Sequence, residues 1–430
     1  MPIKTTILIL TSSLCGLLPL DAADWARFRG PNGAGISEEK ELPLEWNATK
    51  NIIWKAELTG RGASSPIVWQ DRVYVAAYSG YGLTKDDPWS NRDNLRQHLI
   101  CFNRRDGTLM WKADYAGVMK EHGIGGYLDL HGYASSTPVA DATGVYVYFG
   151  NGGVFAYDHD GKQRWHKQLG WKIHSWGSAS SPILYQDLLI VHADIEVHAL
   201  LAFDKQSGQE VWRVPTGNQN HGDSWSTPLV VNVGGKQELV FHRSVGEPAT
   251  LAAVDPRNGQ ALWECSVLKN YLCPSPIAHN GVIYAMGYQR SAAVRVGGRG
   301  DVSQSHILWK NNKGNTVCTP IYHEGHLYWA SEEGGIAWCL NATTGETVYQ
   351  ERLSPAPGLI YASGVLAEGR IYYPSREKGT YVVPAKPKFE LLARNVIESD
   401  STVFNGTPAI SGGQLFLRGD KYLYCIGTKK

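Results

Sequence analysis

The chain has 430 residues, is 43% hydrophobic and only 19% charged, and carries a formal net charge of +1. Low charge beside ample apolar content excludes intrinsic disorder, and the near-neutral balance lacks the electrostatic footprint of a nucleic-acid or anionic-membrane binder. Aromatic residues at 11%, including 15 Trp, together with 47 Gly and 21 Pro, fit many short strands joined by tight turns.

The amino terminus reads "MPIKTTILILTSSLCGLLPLDAADW". Lys4 is a minimal positive region, Ile7 to Leu20 an apolar region, and the following Ala pair a small-residue cleavage site, so residues 1–23 read as a signal peptide removed after Ala22 or Ala23. The apolar run is short and broken by Thr and Ser, which argues against a membrane anchor. Leu14 stands where a lipoprotein signal needs a small residue, so Cys15 is not expected to carry lipid. No later segment is apolar for long enough to span a bilayer. The expectation is an exported chain, periplasmic or secreted, with an extension over 24–50 and one repeat domain over 51–430.

Two phrases recur along that domain. The first is Ser or Thr, then Pro, then an apolar strand: "SSPIVWQDRVYVAA", "STPVADATGVYVYF", "SSPILYQDLLIVHA", "STPLVVNVGGKQELVF", "PSPIAHNGVIYAMG", "CTPIYHEGHLYWAS", "ASGVLAEGRIYYPS" and "GTPAISGGQLFLRG". Their anchors are Pro66, Pro138, Pro182, Pro228, Pro276, Pro320, Gly364 and Pro408, 44 to 48 residues apart except for one interval of 72. The second phrase carries Asp or Asn, then Gly, then Trp, as in "LAFDKQSGQEVW" and "AAVDPRNGQALW"; it ends on Trp111, Trp165, Trp212 and Trp263, with Tyr349 in the same place. Period-two alternation broken by regular turn signals predicts short antiparallel strands. Four strands every ~44 residues is the size of a propeller blade. The fold expected is all-β, an eight-bladed β-propeller. Its last copy stops after three strands, so the segment holding Trp54 is expected to complete that blade and close the ring. The recurrent aromatic residues are expected to dock neighbouring blades, and Cys101, Cys339 and Cys425, which occupy the place of Ala156, Ala202 and Ala253, to be small buried strand residues. Cys273 and Cys318 lie at neighbouring points of successive copies, and export would allow a disulfide there.

The eight-fold repeat with its Asp-Gly-Trp phrase resembles the PQQ-like (pyrroloquinoline quinone-like) repeat family, over nearly the whole chain from Trp54 to Gly427. Its members include quinoprotein alcohol and sugar dehydrogenases and the propeller lipoprotein of the outer-membrane barrel-assembly machinery. Two segments, "DWARFRGPNGAGIS" and "VRVGGRGDVSQSHILW", resemble an exported subgroup found in planctomycetes and relatives. The resemblance implies the fold; the motif reports blade packing rather than chemistry.

Propeller ligands gather where the loops leading to the innermost strands converge. Upstream of the anchors these loops offer Arg61, His131, Tyr133, His174, Trp176, His221, Asp223, Trp225, Tyr271, Asn315, Tyr361 and Asn405. Three histidines on adjacent blades suit a metal, a general base or a polar ligand; they are equally readable as ordinary loop histidines with separate partners. The insertions Ser79–His98 and Tyr115–Tyr133, with Trp89, His122, Tyr127 and Asp129, suit a cap over the same site. The paired glycines of "VRVGGRGDV" read as an anion cradle or, better, as a surface loop held by Asp301 and His306. No G-x-S-x-G, H-E-x-x-H or P-loop occurs. The leading expectation is a scaffold that binds a small molecule, a carbohydrate or a protein at the channel mouth, as a monomer, without nucleic acid. The alternatives are a quinoprotein-type oxidoreductase holding PQQ with calcium, which the resemblance implies, and a polysaccharide-active hydrolase or lyase. Against the former, the chain lacks the adjacent Cys pair that lines the cofactor pocket of many quinoprotein alcohol dehydrogenases.

Overall fold

The computed structural model describes residues 23–83, 91–117, 121–217, 224–244, 246–269 and 271–428. The apolar leader, Trp89, His221 and Asp223 lie outside the described residues. Eight antiparallel sheets form an eight-bladed propeller. The first comprises Ile67–Trp69, Arg72–Ser79, Arg96–Asn103 and Leu109–Ala116. The eighth joins Ala409–Ser411, Gln414–Arg418 and Tyr422–Ile426 to Ile52–Glu57 from the opposite end of the chain. Trp54 there stands opposite Cys425, so the ring closes as expected.

The register explains the small residues. Cys101 faces Trp111, Ala156 faces Trp165, Ala202 faces Trp212, Ala253 faces Trp263 and Cys339 faces Tyr349. A bulge follows each pair, adding the local twist that turns the outer strand. Each indole then reaches into the next blade. Trp54 Nε1 donates to Arg104 O (2.9 Å), Trp111 Nε1 to His159 O (2.8 Å), Trp165 Nε1 to Lys205 O (3.0 Å) and Trp212 Nε1 to Pro256 O (3.2 Å).

The Asp and Gly of the repeat therefore do not aim the tryptophan of their own blade; they seat the one before. Asp204 Oδ1 accepts the Ser207 amide (2.7 Å), and Gly208 closes the turn at φ +70°. A Cβ on Gly208 would come within 2.6 Å of Trp165. Gly107, Gly161 and Gly345 stand in the same relation to Trp54, Trp111 and Trp309.

Trp263 departs from the series. Its Nε1 donates to Glu238 of its own blade (2.7 Å), because "VRVGGRGDV" replaces the fifth-blade turn. That segment folds back as Gly300–Asp301, a parallel addition to the fourth blade's outer strand Ala261–Leu268. Arg299 pairs with Glu238 (3.3 Å), and Asp301 accepts from Ser303. It is a surface clasp rather than an anion cradle.

The innermost strands are joined by hydroxyls. Each Ser or Thr before an anchor accepts the amide of its counterpart one blade earlier: Ser65 N to Thr137, Thr137 N to Ser181, Ser181 N to Thr227, Thr227 N to Ser275, Ser275 N to Thr319, Thr319 N to Ser363 and Ser363 N to Thr407, all at 3.0–3.1 Å. Where blade eight meets blade one, buried Arg418 donates to Ser64 O (3.2 Å). The hydroxyls satisfy buried amides that no strand could reach.

The extension threads the same axis. Trp25 exchanges backbone hydrogen bonds with Val68 of blade one (2.9 and 3.0 Å), Ala26 O accepts Ala140 N of blade two, and Ile36 pairs with Leu366 of blade seven. Between them Arg29, 1% exposed, donates to Gly33, Ala34, Thr319, Pro320 and Gly364 carbonyls. Burial lowers its pKa to about 9. Val68, Ala140 and Leu366 each lie two residues after an anchor, so the extension meets the innermost strands on the side away from the lead loops. All six cysteines from Cys101 onward are thiols, and Cys318 Sγ donates to Ile360 O (3.1 Å), so the disulfide contemplated for Cys273 and Cys318 is not formed.

Two glycine variants separate strain from packing. Gly325→Ala, at φ +80° with no heavy atom within 4 Å, should cost about 1 kcal/mol from backbone alone. Gly208→Ala adds the collision with Trp165 and should cost about 2–4 kcal/mol. Equal shifts in chemical denaturation would refute the seating role of Gly208. Arg29→Met, which strips five carbonyls of their donor, should cost about 2–4 kcal/mol by the same measurement.

Candidate functional site

A cavity of ≈ 150 Å³ lies among the lead loops. Its floor is the hydroxyl ring and Phe28 of the extension; its walls include Thr316, Val317, Glu332, Tyr361 and Asn405; Tyr127, His131, Trp176 and Trp225 complete it.

The second insertion supplies the cover. Residues Gly126–His131 form one short helix, whose backbone is gripped from several blades. Arg376 Nη1 (2.5 Å) and Asn405 Nδ2 (2.6 Å) both donate to Leu130 O. Arg61 lies 3.9 Å from Asp129 and is itself fixed by Asp420 (3.0 Å) and the Gly82 and Leu83 carbonyls. His131 Nε2 donates to Trp176 O (2.7 Å), leaving Nδ1 to accept from Ser135 (2.5 Å). Partners on blades three, seven and eight place this segment across the mouth, which answers which face it occupies.

Of the residues expected at the mouth, His131, Trp176, Trp225, Tyr361 and Asn405 line the cavity. Arg61 and Tyr133 do not; Arg61 ties the cover, and Tyr133 is buried beneath it with its hydroxyl on His122 O (2.7 Å). Asn315 is buried and braces its own loop through Cys318 O and Ala330 O. His174 packs edge-on against Trp176 and Trp225. Tyr271, in the left-handed region at φ +66°, stacks on Trp176 at 5.1 Å. Trp176 thereby sits at the centre of an aromatic cluster with Trp225 (5.1 Å) and Tyr127 (4.5 Å). Trp225 turns its N–H away to Gly177 O (2.8 Å).

Glu332 was not among the residues expected at the mouth. It follows the second strand of blade six rather than preceding an anchor, so upstream reading passes over it. Its amide is held by Asn315 (3.3 Å), while Thr316 donates to the carboxyl. Its Oε2 is buried and unpartnered. Desolvation raises its pKa to about 7. The Ser/Thr ring was also passed over as part of the site, although one hydroxyl before each anchor is plain in the repeat.

The described donors do not assemble a metal site. No three His, Cys, Asp or Glu side chains converge among the described residues. Calcium takes six to eight oxygens, carboxylates prominent among them, and the described lining offers one carboxyl, itself poorly ionised. PQQ with calcium does not fit this set. Nor do His131 and Arg61 present an acid–base pair, since their polar atoms hold the cover.

Burial also depresses His131 to about 4 and His242 to about 3, and lowers His192. An unfolded imidazole protonates near 6.5, so between these values the unfolded chain binds more protons. Stability should therefore decline as pH falls from about 6.5 toward 4. His242→Leu should flatten that part of a thermal-midpoint profile; an unchanged slope would exclude His242 as a source.

Comparison with known proteins places these features in context. A family model described as "Outer membrane protein assembly factor BamB" matches residues 95–351. The outer membrane protein assembly factor BamB of Alkalilimnicola ehrlichii is 26% identical over 241 residues, 56% of this chain. The chain spans about half the length of that curated relative, 52%. Among solved structures, BamB from Moraxella catarrhalis superposes with a TM-score of 0.62 at 14% identity, covering 88% of this chain and 97% of its own. A europium-containing methanol dehydrogenase gives 0.64 at 10% identity, covering 94% and 98%. The quinohaemoprotein alcohol dehydrogenase ADHIIG of Pseudomonas putida HK5 gives 0.60 at 12%, covering 95% and 81%. At these identities the structural likenesses speak to fold alone.

Proposed function

The chain belongs to the PQQ-like propeller family whose model is described as outer membrane protein assembly factor BamB, and on that premise we propose that it is an exported scaffold holding a ligand or protein partner at its channel mouth. The observation that carries this reading is the concentration of exposed aromatic surface there. Tyr127, Tyr271 and Tyr288 are exposed. Tyr271 stacks on Trp176, Tyr127 packs against it at a tilt, and Tyr288 packs edge-on against Tyr271. Side chains of this kind supply large contact area at low entropy cost. The extension occupies the other end, which leaves the mouth as the approach to the axis.

Export rests on the leader sequence, and no helix among the described residues is long and apolar enough to cross a membrane. The oxidoreductase and hydrolase readings lose support from the donor set just described.

A photo-reactive residue at Tyr127 or Tyr271 should crosslink to a discrete envelope partner, whereas one at Val348, exposed on an outer strand, should not. Equal labelling from both positions would refute a mouth-centred scaffold. Amino-terminal sequencing of the exported protein should begin at Ala23 or Asp24; an intact Met1 would remove the export reading.

A further inference from the structure

The cavity behind the aromatic cluster is chemically one-sided. No Lys or Arg lines it among the described residues, and His131 is neutral at ordinary pH. Its one formal charge among the described residues is Glu332, whose carboxyl takes hydrogen bonds from the Thr316 hydroxyl and the Thr316 and Val317 amides while its Oε2 lacks a partner. Buried acceptors are normally satisfied, so this carboxyl in the cavity lining keeps acceptor capacity that Thr316 and Val317 leave unused. Tyr127, Trp176, Trp225 and Tyr361 contribute aromatic rings to the same lining. A carboxylate among π-faces attracts cations and repels anions.

We infer that the channel cavity binds a small organic ammonium ion, with Glu332 as its counter-charge and the surrounding aromatic rings as its cage. The inference rests on the mouth-site reading and specifies the ligand class. Size limits the guest: a cavity of ≈ 150 Å³ accommodates about one benzene's bulk, which suits tetramethylammonium or methylammonium. A neutral sugar ring of similar size would leave the carboxyl without a counter-ion. Arg376 does not compete, because its guanidinium lies on Tyr361 (5.2 Å) and is bonded to Leu130 O and Asn405.

Proton linkage provides a signature that simple packing would lack. Glu332 is part-protonated near neutrality, so a bound cation should complete its ionisation and release a fraction of a proton. The titratable groups around it are Glu333, Tyr361 and Cys318, with His131 elsewhere in the lining. Burial raises the Tyr361 and Cys318 values and lowers that of His131. Glu332 is therefore the described member of this set that titrates near pH 7.

The test is calorimetric titration of the full mature protein with tetramethylammonium chloride, in buffers of different ionisation enthalpy, with D-glucose in parallel. One-to-one binding should be accompanied by proton release, and should weaken about tenfold or more between pH ~8 and ~5.5 as the carboxyl protonates. Glu332→Gln should abolish it while leaving the thermal midpoint near that of the wild type, Trp176→Ala should weaken it about tenfold, and Glu333→Gln should leave it intact. Glucose binding that survives Glu332→Gln, without cation binding, would overturn the ammonium assignment while leaving the mouth-site reading standing. Binding of neither probe would overturn the assignment too, and the crosslinking result would then decide the mouth-site reading separately.

Discussion

The structure depends on how one blade is fastened to the next. A four-stranded blade cannot bury both of its faces alone, and the junctions from blade one to blade four and between blades five and six are held at two radii. Near the axis a Ser or Thr hydroxyl accepts an amide from the preceding blade. Farther out an indole lies over a glycine of the following blade and donates to a carbonyl beside it. Such a bond contributes only about 1 kcal/mol net, but the same bond recurs around the ring. Closure through Trp54 and Cys425 then removes the free edges that an open array would expose.

That fastening determines where function can sit. Hydroxyls spent on neighbouring amides make a satisfied floor, and the extension meets the far side with Arg29, whose donors are matched to carbonyls rather than to a carboxylate. Polar groups at the rim are used in the same way: Arg61, Arg376 and Asn405 hold the cover in place. What remains for a ligand is a small aromatic-walled space with one carboxyl, Glu332.

The propeller was readable because its cause is local and repeated. Strand alternation, the hydroxyl before each anchor, and a glycine ahead of each tryptophan recur at nearly constant spacing, so every copy reinforced the others. Trp111, Trp165 and Trp212 dock blades as expected, whereas Trp263, expected to do the same, donates to Glu238 of its own blade. The site was legible only in part. His131, Trp176, Trp225, Tyr361 and Asn405 could be found by counting back from anchors. Arg61, Tyr133 and Asn315 satisfied the same count yet face other partners, because a position in a loop does not specify the direction of a side chain. Glu332 lies after a strand instead of before one, and no spacing rule pointed to it.

By itself, then, the sequence determined the blade number, the closure of the ring and the residues that pack blade on blade. These follow from periodic contacts between segments of similar spacing. Tertiary structure alone decided that the extension threads the channel, that the second insertion crosses the mouth, and that Glu332 faces a neutral aromatic cavity. Each of these joins residues far apart in the chain, as Arg29 meets Thr319 and Leu130 meets Asn405. They occur once, so no repetition announces them, and they exist only after the ring has brought its distant blades together.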